Sequence, residues 1–335
     1  MSRDQFLTDA PLVSHALIDW LLDSDPGIRW QVLRDLVRAS PAEVHAERAR
    51  MAPTGWGSQL LALQQADGTW GGVAWNHGWN STMHVLSLLR ELGLDPDCDA
   101  ARRAVHKVHQ QVTWQGDPVF EGRAFFTGEV EPCINGQVAA SGAYFGVDVC
   151  RLVDRLLAEQ LPDGGWNCEA DRGSTRSSFN TTICVLEALL EYEQRLGNNS
   201  AVTQARQRGE DYLLERRLFR RRSTGQLIEY DRKFGPAGLA GHPAWTRLAF
   251  PTWWHYDLLR GLDYLRRAGV PPDERVDEAV RLLSSKRDPQ GRWRVEIEYN
   301  GEMPVPIEAA VGEPSRWLTL KALRVLEWHA GQQTG

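Results

Sequence analysis

The residues best suited to chemistry in this chain are two cysteines and one histidine, Cys133, Cys168 and His255. Each lies at, or just before, the predicted start of an apolar helix, although the three are far apart in the sequence. Two thiolates and one imidazole, with a fourth position left open, form the ligand set of a catalytic zinc site that activates a water or a thiol. We therefore predict that these side chains bind zinc. The alternative is structural, with two packed thiols and a histidine that caps its helix.

Two acidic residues are the predicted acid–base groups, together with His255. Asp171 follows Cys168 in the same loop, and Asp257 directly precedes a helix. A carboxyl group that is buried has a raised pKa and can donate a proton to a substrate. Asp257 can equally serve as a helix cap, which is a structural role.

The elements that would position these residues are repeats. Three stretches share the order of apolar helix end, glycine-containing turn and tryptophan: LLALQQADGTWGG at 60–72, LLAEQLPDGGWNCE at 156–169 and LLSSKRDPQGRWRV at 282–295. A short polar loop and a second apolar helix follow each of them. The repeated unit is therefore a helical hairpin, and the chain has the pattern of a repeat protein.

Helical periodicity predicts six such hairpins and no strands. The predicted pairs are 13–22 with 28–37, 42–63 with 82–92, 100–112 with 133–145, 147–159 with 181–194, 203–219 with 255–268, and 277–285 with 317–330. An open solenoid needs polar caps at both ends, and the sequence has no obvious ones. We predict one all-α domain over residues 1–335, an (α/α)6 toroid with the second helices inside.

In such a toroid the inner helices all begin at one mouth. Their N-termini favour an anionic group there, and an aromatic wall suits an apolar or cationic guest. The predicted substrate-binding residues are those near the inner-helix starts: Trp79, Trp166, Asn180, Trp254, Tyr256, Arg316 and Trp317. An insertion at 220–252, rich in Gly, Pro and Arg, is the candidate lid over this mouth.

Composition excludes several classes of protein. The chain has 335 residues, is 42% hydrophobic and 24% charged, and carries a net charge of −6, which argues against a nucleic-acid-binding face. No apolar run reaches the roughly 18 residues of a membrane span. Five cysteines without paired spacing favour reduced thiols and a cytoplasmic protein. The oligomeric state is left open.

Several strings carry a family resemblance. The turns from Gln64 to Trp70 and from Gln160 to Trp166 resemble the repeats of squalene-hopene and related terpene cyclases. The six-hairpin arrangement resembles the β-subunits of protein prenyltransferases. GGWNC at 164–168, TWWHYDLLRGLDYL at 252–265 and PSRWLTLKALRVLEW at 314–328 resemble single-domain bacterial proteins described as squalene-cyclase-like. The resemblance covers almost the whole chain and implies the fold more specifically than any reaction.

The resemblance also bears on the metal. Protein prenyltransferases bind zinc through Asp, Cys and His at this end of the toroid, which implies Cys133 and His255 here, with Asp171 or Asp257 as the aspartate. Lanthipeptide cyclases, also toroids, use two Cys and one His, but their adjacent Cys-His pair is absent from this chain. The Asp-x-Asp-Asp motif of class II terpene cyclases is absent as well.

Three functions are therefore expected. The first is a terpenoid cyclase- or prenyltransferase-like enzyme, zinc-assisted, that acts on an isoprenoid-like or other apolar substrate in a central aromatic cavity. The second is a toroid that binds a lipid or a peptide without catalysis. The third is a zinc-dependent enzyme that modifies peptides.

Overall fold

The computed structural model describes residues 13–197, 199–230 and 238–331. In this part of the chain the fold is all-α, as the sequence predicts. It contains thirteen α-helices: α1 His15–Leu22, α2 Pro26–Val32, α3 Pro41–Ala49, α4 Gly55–Ala62, α5 Thr82–Leu92, α6 Asp99–Gln111, α7 Pro132–Tyr144, α8 Cys150–Ala158, α9 Phe179–Leu196, α10 Ser200–Leu214, α11 Leu258–Arg267, α12 Asp277–Ser285 and α13 Arg316–Ala330. A π-helical turn, Leu33–Val37, extends α2, and Phe125–Thr127 forms a 3-10 turn. The strands β1 Trp293–Arg294 and β2 Pro314–Ser315 form a short antiparallel pair. None of the helices described here is long and apolar enough to cross a membrane.

The helices follow one another in the order of the predicted pairs, with local differences. The prediction of no strands is wrong at the short β1–β2 pair, and α10 ends at Leu214 and not at 219. The stretch predicted as one interrupted helix at 42–63 is two helices, because Thr54 is extended and Gly55, with φ of +70°, begins α4 in a conformation that favours glycine. Helix α11 begins at Leu258 and not at 255, because the Asp257 side chain accepts a hydrogen bond from the Arg260 N–H and caps the helix.

One hydrogen bond recurs in each tryptophan turn. The indole N–H donates to a backbone carbonyl ten residues upstream, from Trp70 to Leu60 at 2.7 Å, from Trp166 to Leu156 at 2.6 Å and from Trp293 to Leu283 at 2.8 Å. These carbonyls lie in the last turns of α4, α8 and α12, where the regular hydrogen bond to the fourth residue onward is lost. Those of Leu60 and Leu283 also accept from the N–H three residues onward, at 3.3 and 3.2 Å. Each tryptophan therefore satisfies a helix end and directs the chain back toward the next helix.

Two of these turns are also joined to the following hairpin by a glutamine. The Gln160 amide donates to the carbonyls of Gly164, at 2.7 Å, and Ala205, at 2.8 Å. Gln64 makes the equivalent bonds to Gly68, at 3.0 Å, and to an α6 carbonyl at 2.9 Å. The glutamine thus connects its own turn to α6 or α10, the first helix of the next pair.

The second helices of the pairs contact one another in sequence order. Helix α7 packs against α5 and α9, and α13 packs against α11 and α2. Between α2 and α5, the Trp30 indole donates to the Leu92 carbonyl at 2.9 Å. Between α13 and α2, Arg324 donates to the side chain of Gln31 at 2.9 Å. The C-terminal helix therefore meets the N-terminal part of the chain.

Charged side chains connect α5, α9 and α11. Arg260 donates two hydrogen bonds of 2.8 Å to Glu187, and Arg90 lies 3.6 Å from Glu187 and 3.3 Å from Glu191. Arg267 pairs with Glu191 as well. Burial alone would raise the pKa of Glu187, but the charge and hydrogen bonds of Arg260 outweigh it and lower this pKa to about 2. The carboxylate is therefore charged at neutral pH.

We expect Gln160→Ala to lower the free energy of unfolding by about 1 to 3 kcal/mol, because two carbonyls lose a donor and the turn loses its connection to α10. Gln204→Ala, at an exposed position of α10, is the control. Urea denaturation measures both. Equal midpoints and slopes for the two variants would show that the glutamine does not hold the turn.

Candidate functional site

A pocket of about 660 Å³ lies over the N-terminus of α7. We call it the side pocket. It falls within the roughly 300–1,000 Å³ typical of ligand sites. Three loops, those preceding α5, α7 and α9, supply its walls. Its aromatic and ionisable lining residues are Trp75, His77, Trp114, Asp117, Phe120, Glu129, Glu131, Cys168, Asp171 and Arg172.

Two of the three predicted zinc ligands come together at this pocket. The Sγ atoms of Cys133 and Cys168 are 2.7 Å apart, although the residues are 35 positions apart in the chain. Cys133 lies in the first turn of α7, which Pro132 begins, and Cys168 lies in the loop after the Trp166 turn. Their convergence follows from the repeat, because both loops lead into neighbouring second helices.

The third member of this cluster is Glu131, which the sequence analysis did not select. Its Oε2 lies 3.6 Å from the Cys133 Sγ. One ligand atom from each of Glu131, Cys133 and Cys168 lies within 4.8 Å of the other two, and this is the one such group of three among the residues described. The thiol hydrogen bond with Cys168, together with burial, raises the pKa of Cys133 well above its ordinary value.

His255, the third predicted ligand, does not belong to this cluster. It precedes the Asp257 cap of α11, and its imidazole stacks on Tyr299 with ring centroids 3.5 Å apart and planes within 10°. Trp254 covers it at 3.7 Å. Burial lowers the pKa of His255 to about 3, so the imidazole is neutral and belongs to an aromatic cluster. The structure therefore brings Cys133 and Cys168 together with Glu131 and places His255 apart from them, while the binding of zinc stays a prediction.

The two predicted acids lie in different surroundings. Asp171 is exposed at the rim of the side pocket. Asp257 is fully buried, and its carboxylate accepts hydrogen bonds from the backbone of Arg260 at 2.8 Å and of Ala249 at 3.2 Å. Burial raises the pKa of Asp257 to about 6. Its contacts are those of a helix cap, which is the alternative that the sequence left open.

Three of the predicted substrate-binding residues lie in the core. Trp166, Trp317 and Tyr256 are at most 1% exposed. The indole of Trp166 is bonded within its turn, and Trp317 stacks on Phe250 at 4.7 Å. Tyr256 packs against Phe179 at 5.1 Å. These rings stabilise the fold, because their surfaces are already occupied by neighbouring side chains.

The other four predicted residues hold loops together. The Asn180 side chain accepts from the Tyr256 N–H at 2.8 Å, and the Arg316 Nε donates to the Trp20 carbonyl at 3.0 Å. Trp254 covers His255, as described above. Trp79 is buried, stacks on Trp253 at 4.8 Å and donates its indole N–H to the Tyr299 carbonyl at 3.2 Å. Among these four, Trp79 lines a second, smaller pocket beside the loop that follows β1.

A small pocket lies between α5, α9, α11 and α13. Its volume is about 40 Å³, and its lining includes Arg90, Glu187, Arg260 and Lys321 beside the ring of Trp253. Paired charges therefore line this part of the interior, and the predicted central aromatic cavity stays a prediction.

The arginine run before the insertion is engaged locally. Arg220 donates to Glu278 at 2.7 Å, Arg222 lies 3.1 Å from Glu215, and Arg216 covers the Tyr212 ring at 3.8 Å. In the predicted lid, Gly235 and its neighbours at 231–237 lie outside the described residues. The end of the insertion is joined to the loop after β1, because the Glu296 N–H donates to the Leu248 carbonyl at 2.9 Å.

A sequence signal for Glu131 existed. Proline is favoured in the first turn of a helix, so Pro132 marks the start of α7 and places residues 131 and 133 together at its N-terminus. Glu129 also faces the side pocket, and burial raises its pKa to about 7. No local pattern indicates that residues 113–131 fold back to form a wall.

We expect the stability difference between wild type and Asp257→Asn to depend on pH. The pKa of Asp257 is about 6 in the folded chain against an ordinary 3.8, so only the folded state binds this proton between these values. The stabilisation of wild type relative to the variant is fully present below about pH 4 and is lost as the pH rises through 6, by about 3 kcal/mol in all. Urea unfolding of both proteins from about pH 4 to 7.5 measures it; a constant difference would contradict it.

Comparison with known proteins identifies no family for this chain. No family model and no curated protein matches it. Solved structures of the type II terpene cyclase MstE from Scytonema are similar to it. An arginine-to-alanine variant in complex with its substrate, geranylgeranyl dihydroxybenzoate, is 16% identical, with a TM-score of 0.43 over 91% of this chain and 87% of that one. The apo enzyme is 17% identical, with a TM-score of 0.42 over 90% and 87%. Similarity of this degree carries no argument about what this chain does.

Proposed function

We propose that this protein is an enzyme that acts on an isoprenoid-like or other largely apolar substrate in the side pocket, assisted by zinc held by Glu131, Cys133 and Cys168. The observation that carries the proposal is the convergence of these three ligand atoms, within 4.8 Å, at a pocket of about 660 Å³. Zinc supplies a Lewis acid that activates a bound water or thiol.

The donor set fits zinc. Two sulfurs and one carboxylate oxygen leave the fourth position of a tetrahedral site open, as catalytic zinc sites do. With zinc–sulfur bonds of about 2.3 Å, two thiolates lie roughly 3.8 Å apart, so Cys133 and Cys168, at 2.7 Å, would separate by about 1 Å. Cys168 lies in a loop that is partly exposed, where a rotation of its side chain provides this movement.

The walls of the pocket suit a substrate with two kinds of surface. Trp75, Trp114 and Phe120 supply an apolar side. The N-terminus of α7, a helix of 13 residues, faces the same pocket, and the carboxyl groups of Glu129 and Glu131 lie beside it. An isoprenoid chain with a neutral polar head toward this end matches both surfaces.

We also infer that the six second helices close into a ring, the (α/α)6 toroid. The inference rests on the contacts of α13 with both α11 and α2 and on the Arg324 to Gln31 bond. In such a ring the side pocket, which three loops form, lies at the rim, and it is the substrate site that we propose.

We expect about one zinc per chain in wild-type protein purified without a tag. Cys168→Ser and Glu131→Gln remove ligands and should lower the zinc content, with the cysteine variant losing nearly all of it. His255→Ala should keep its zinc. Metal analysis measures the content, and the thiolate-to-cobalt absorption of the cobalt-substituted protein reports sulfur ligation independently of activity.

The control for the thiol change is Cys150→Ser, an exposed position away from the cluster. Zinc loss in His255→Ala with retention in Glu131→Gln would restore the original ligand set. Metal-free protein in which Cys133 and Cys168 are joined as a disulfide would overturn the zinc proposal.

We expect Val119→Glu to weaken the binding of a neutral isoprenoid alcohol, geranylgeraniol, at least about tenfold, or about 1.4 kcal/mol. Val119 lines the side pocket and is 61% exposed, so the change adds a charge to the wall without disturbing the core. Leu196→Glu, at a position 58% exposed and outside the pocket, is the control. Titration calorimetry gives the dissociation constants.

Equal weakening by both substitutions would place the apolar ligand elsewhere. Tight binding of geranylgeraniol that is unchanged in metal-free Cys168→Ser, with no turnover in wild type, would favour the non-catalytic binding protein. Turnover of peptides but not of isoprenoids by the zinc-loaded protein would favour the peptide-modifying enzyme.

A further inference from the structure

A second pocket, of about 170 Å³, lies at the mouth between the loop after β1 and the loop before α11. We call it the mouth pocket. Its aromatic lining consists of Trp79, Phe250, Trp253 and Tyr299, and Met303 adds a thioether. The site proposed above uses none of these residues.

The loop that forms this pocket is fitted closely to Trp79. Besides accepting the Trp79 indole N–H at Tyr299, it passes its backbone over the indole at Gly301, which has φ of +152°. A Cβ at this position would lie 2.0 Å from the Trp79 Nε1, so only glycine allows the approach. The contacts of Tyr299 and Gly301 with Trp79 therefore hold the loop against the aromatic wall, and the pocket of about 170 Å³ remains between them.

Two carboxylates face this pocket, and no lysine or arginine is among its lining residues in the part of the chain described. The Glu308 carboxylate is held in place by the Ser315 hydroxyl, at 2.5 Å, and by the Ala309 N–H, at 2.6 Å. Glu298 lies at the open side. Burial raises the pKa of Glu308 to about 7, although the charge of Arg316, which lies outside the lining and donates to the Trp20 carbonyl, lowers it. The pocket therefore has two acidic groups and no lining lysine or arginine, and a bound cation would favour the charged form of Glu308.

This combination discriminates between classes of ligand. An anion would be repelled by both carboxylates, and a wholly apolar ligand would leave them desolvated without a partner. A bare metal ion needs several oxygen ligands, and the pocket offers two carboxylates beside aromatic faces and a thioether. A small organic cation satisfies both features, because aromatic faces attract ammonium groups and the carboxylates neutralise the charge.

We propose that the mouth pocket is a binding site for a small organic ammonium ion, with Glu308 as the counter-charge and the Trp79, Trp253 and Tyr299 cluster as the aromatic wall. The volume suits a group of the size of trimethylammonium with a short polar tail. This site is independent of the zinc proposal, since it shares no residue with the side pocket.

The test uses choline and its neutral isostere 3,3-dimethylbutan-1-ol with the full-length wild-type protein. We expect choline to bind, with a change in tryptophan fluorescence, and the neutral isostere to bind at least about tenfold more weakly. Glu308→Gln should weaken choline binding at least about tenfold and leave the isostere unchanged. Glu302→Gln, an exposed change in the same loop outside the pocket, is the matched control.

Equal affinity for choline and the isostere would overturn the proposal, and so would the absence of choline binding at millimolar concentration. The comparison of the two ligands on wild type does not depend on whether Glu308→Gln folds. Loss of zinc binding in the cluster variants would leave these results unchanged, so the two proposals fail separately.

Discussion

The hydrogen bond from a tryptophan indole to a helix-end carbonyl is the interaction on which this architecture depends. A helix that ends in the protein interior exposes carbonyls that water cannot reach, and each must find a donor. Trp70, Trp166 and Trp293 supply that donor ten residues downstream, and in doing so reverse the chain. Because the reversal is the same each time, the loops that follow lie near one another. Cys168 follows the Trp166 turn, and Cys133 lies in the first turn of the neighbouring helix α7, so the two thiols meet although no contact between them is encoded locally.

The buried ion pairs also explain why the candidate functional residues lie in loops. Between α5, α9 and α11 the interior holds the ion pairs around Glu187 and Glu191, and the pocket beside them has a volume of about 40 Å³. Such pairs offset a large desolvation cost with hydrogen bonds, so the loss of one partner would leave a charge stranded. Ligand binding is then left to the surfaces where the turns diverge, between rigid helix ends.

Much of the fold could be predicted from the sequence, because helix periodicity and the tryptophan turns are local patterns. The limits lie where long-range packing decides. Periodicity does not tell whether Glu187 faces water or Arg260, because a charged residue in an apolar helix can be solvated at the surface or paired in the interior. The position of His255 depends on Tyr299, which arrives from a loop 44 residues later. That Cys133 and Cys168 lie together could be predicted from the repeat, whereas the position of Glu131 beside them, and of His255 apart from them, required the structure.

The last helix has a consequence for how the chain is made. Lys321 pairs with Glu91, and Arg324 with Asp35, so two acidic groups from the first third of the chain depend on residues translated near its end. Until α13 leaves the ribosome, Glu91 lacks Lys321, and Asp35 has Arg34 but lacks the buried Arg324. We therefore expect the nascent chain to pack tightly only after α13 has been synthesised. Messages that end before residue 316 should yield products that quality-control proteases recognise, however complete the preceding hairpins are.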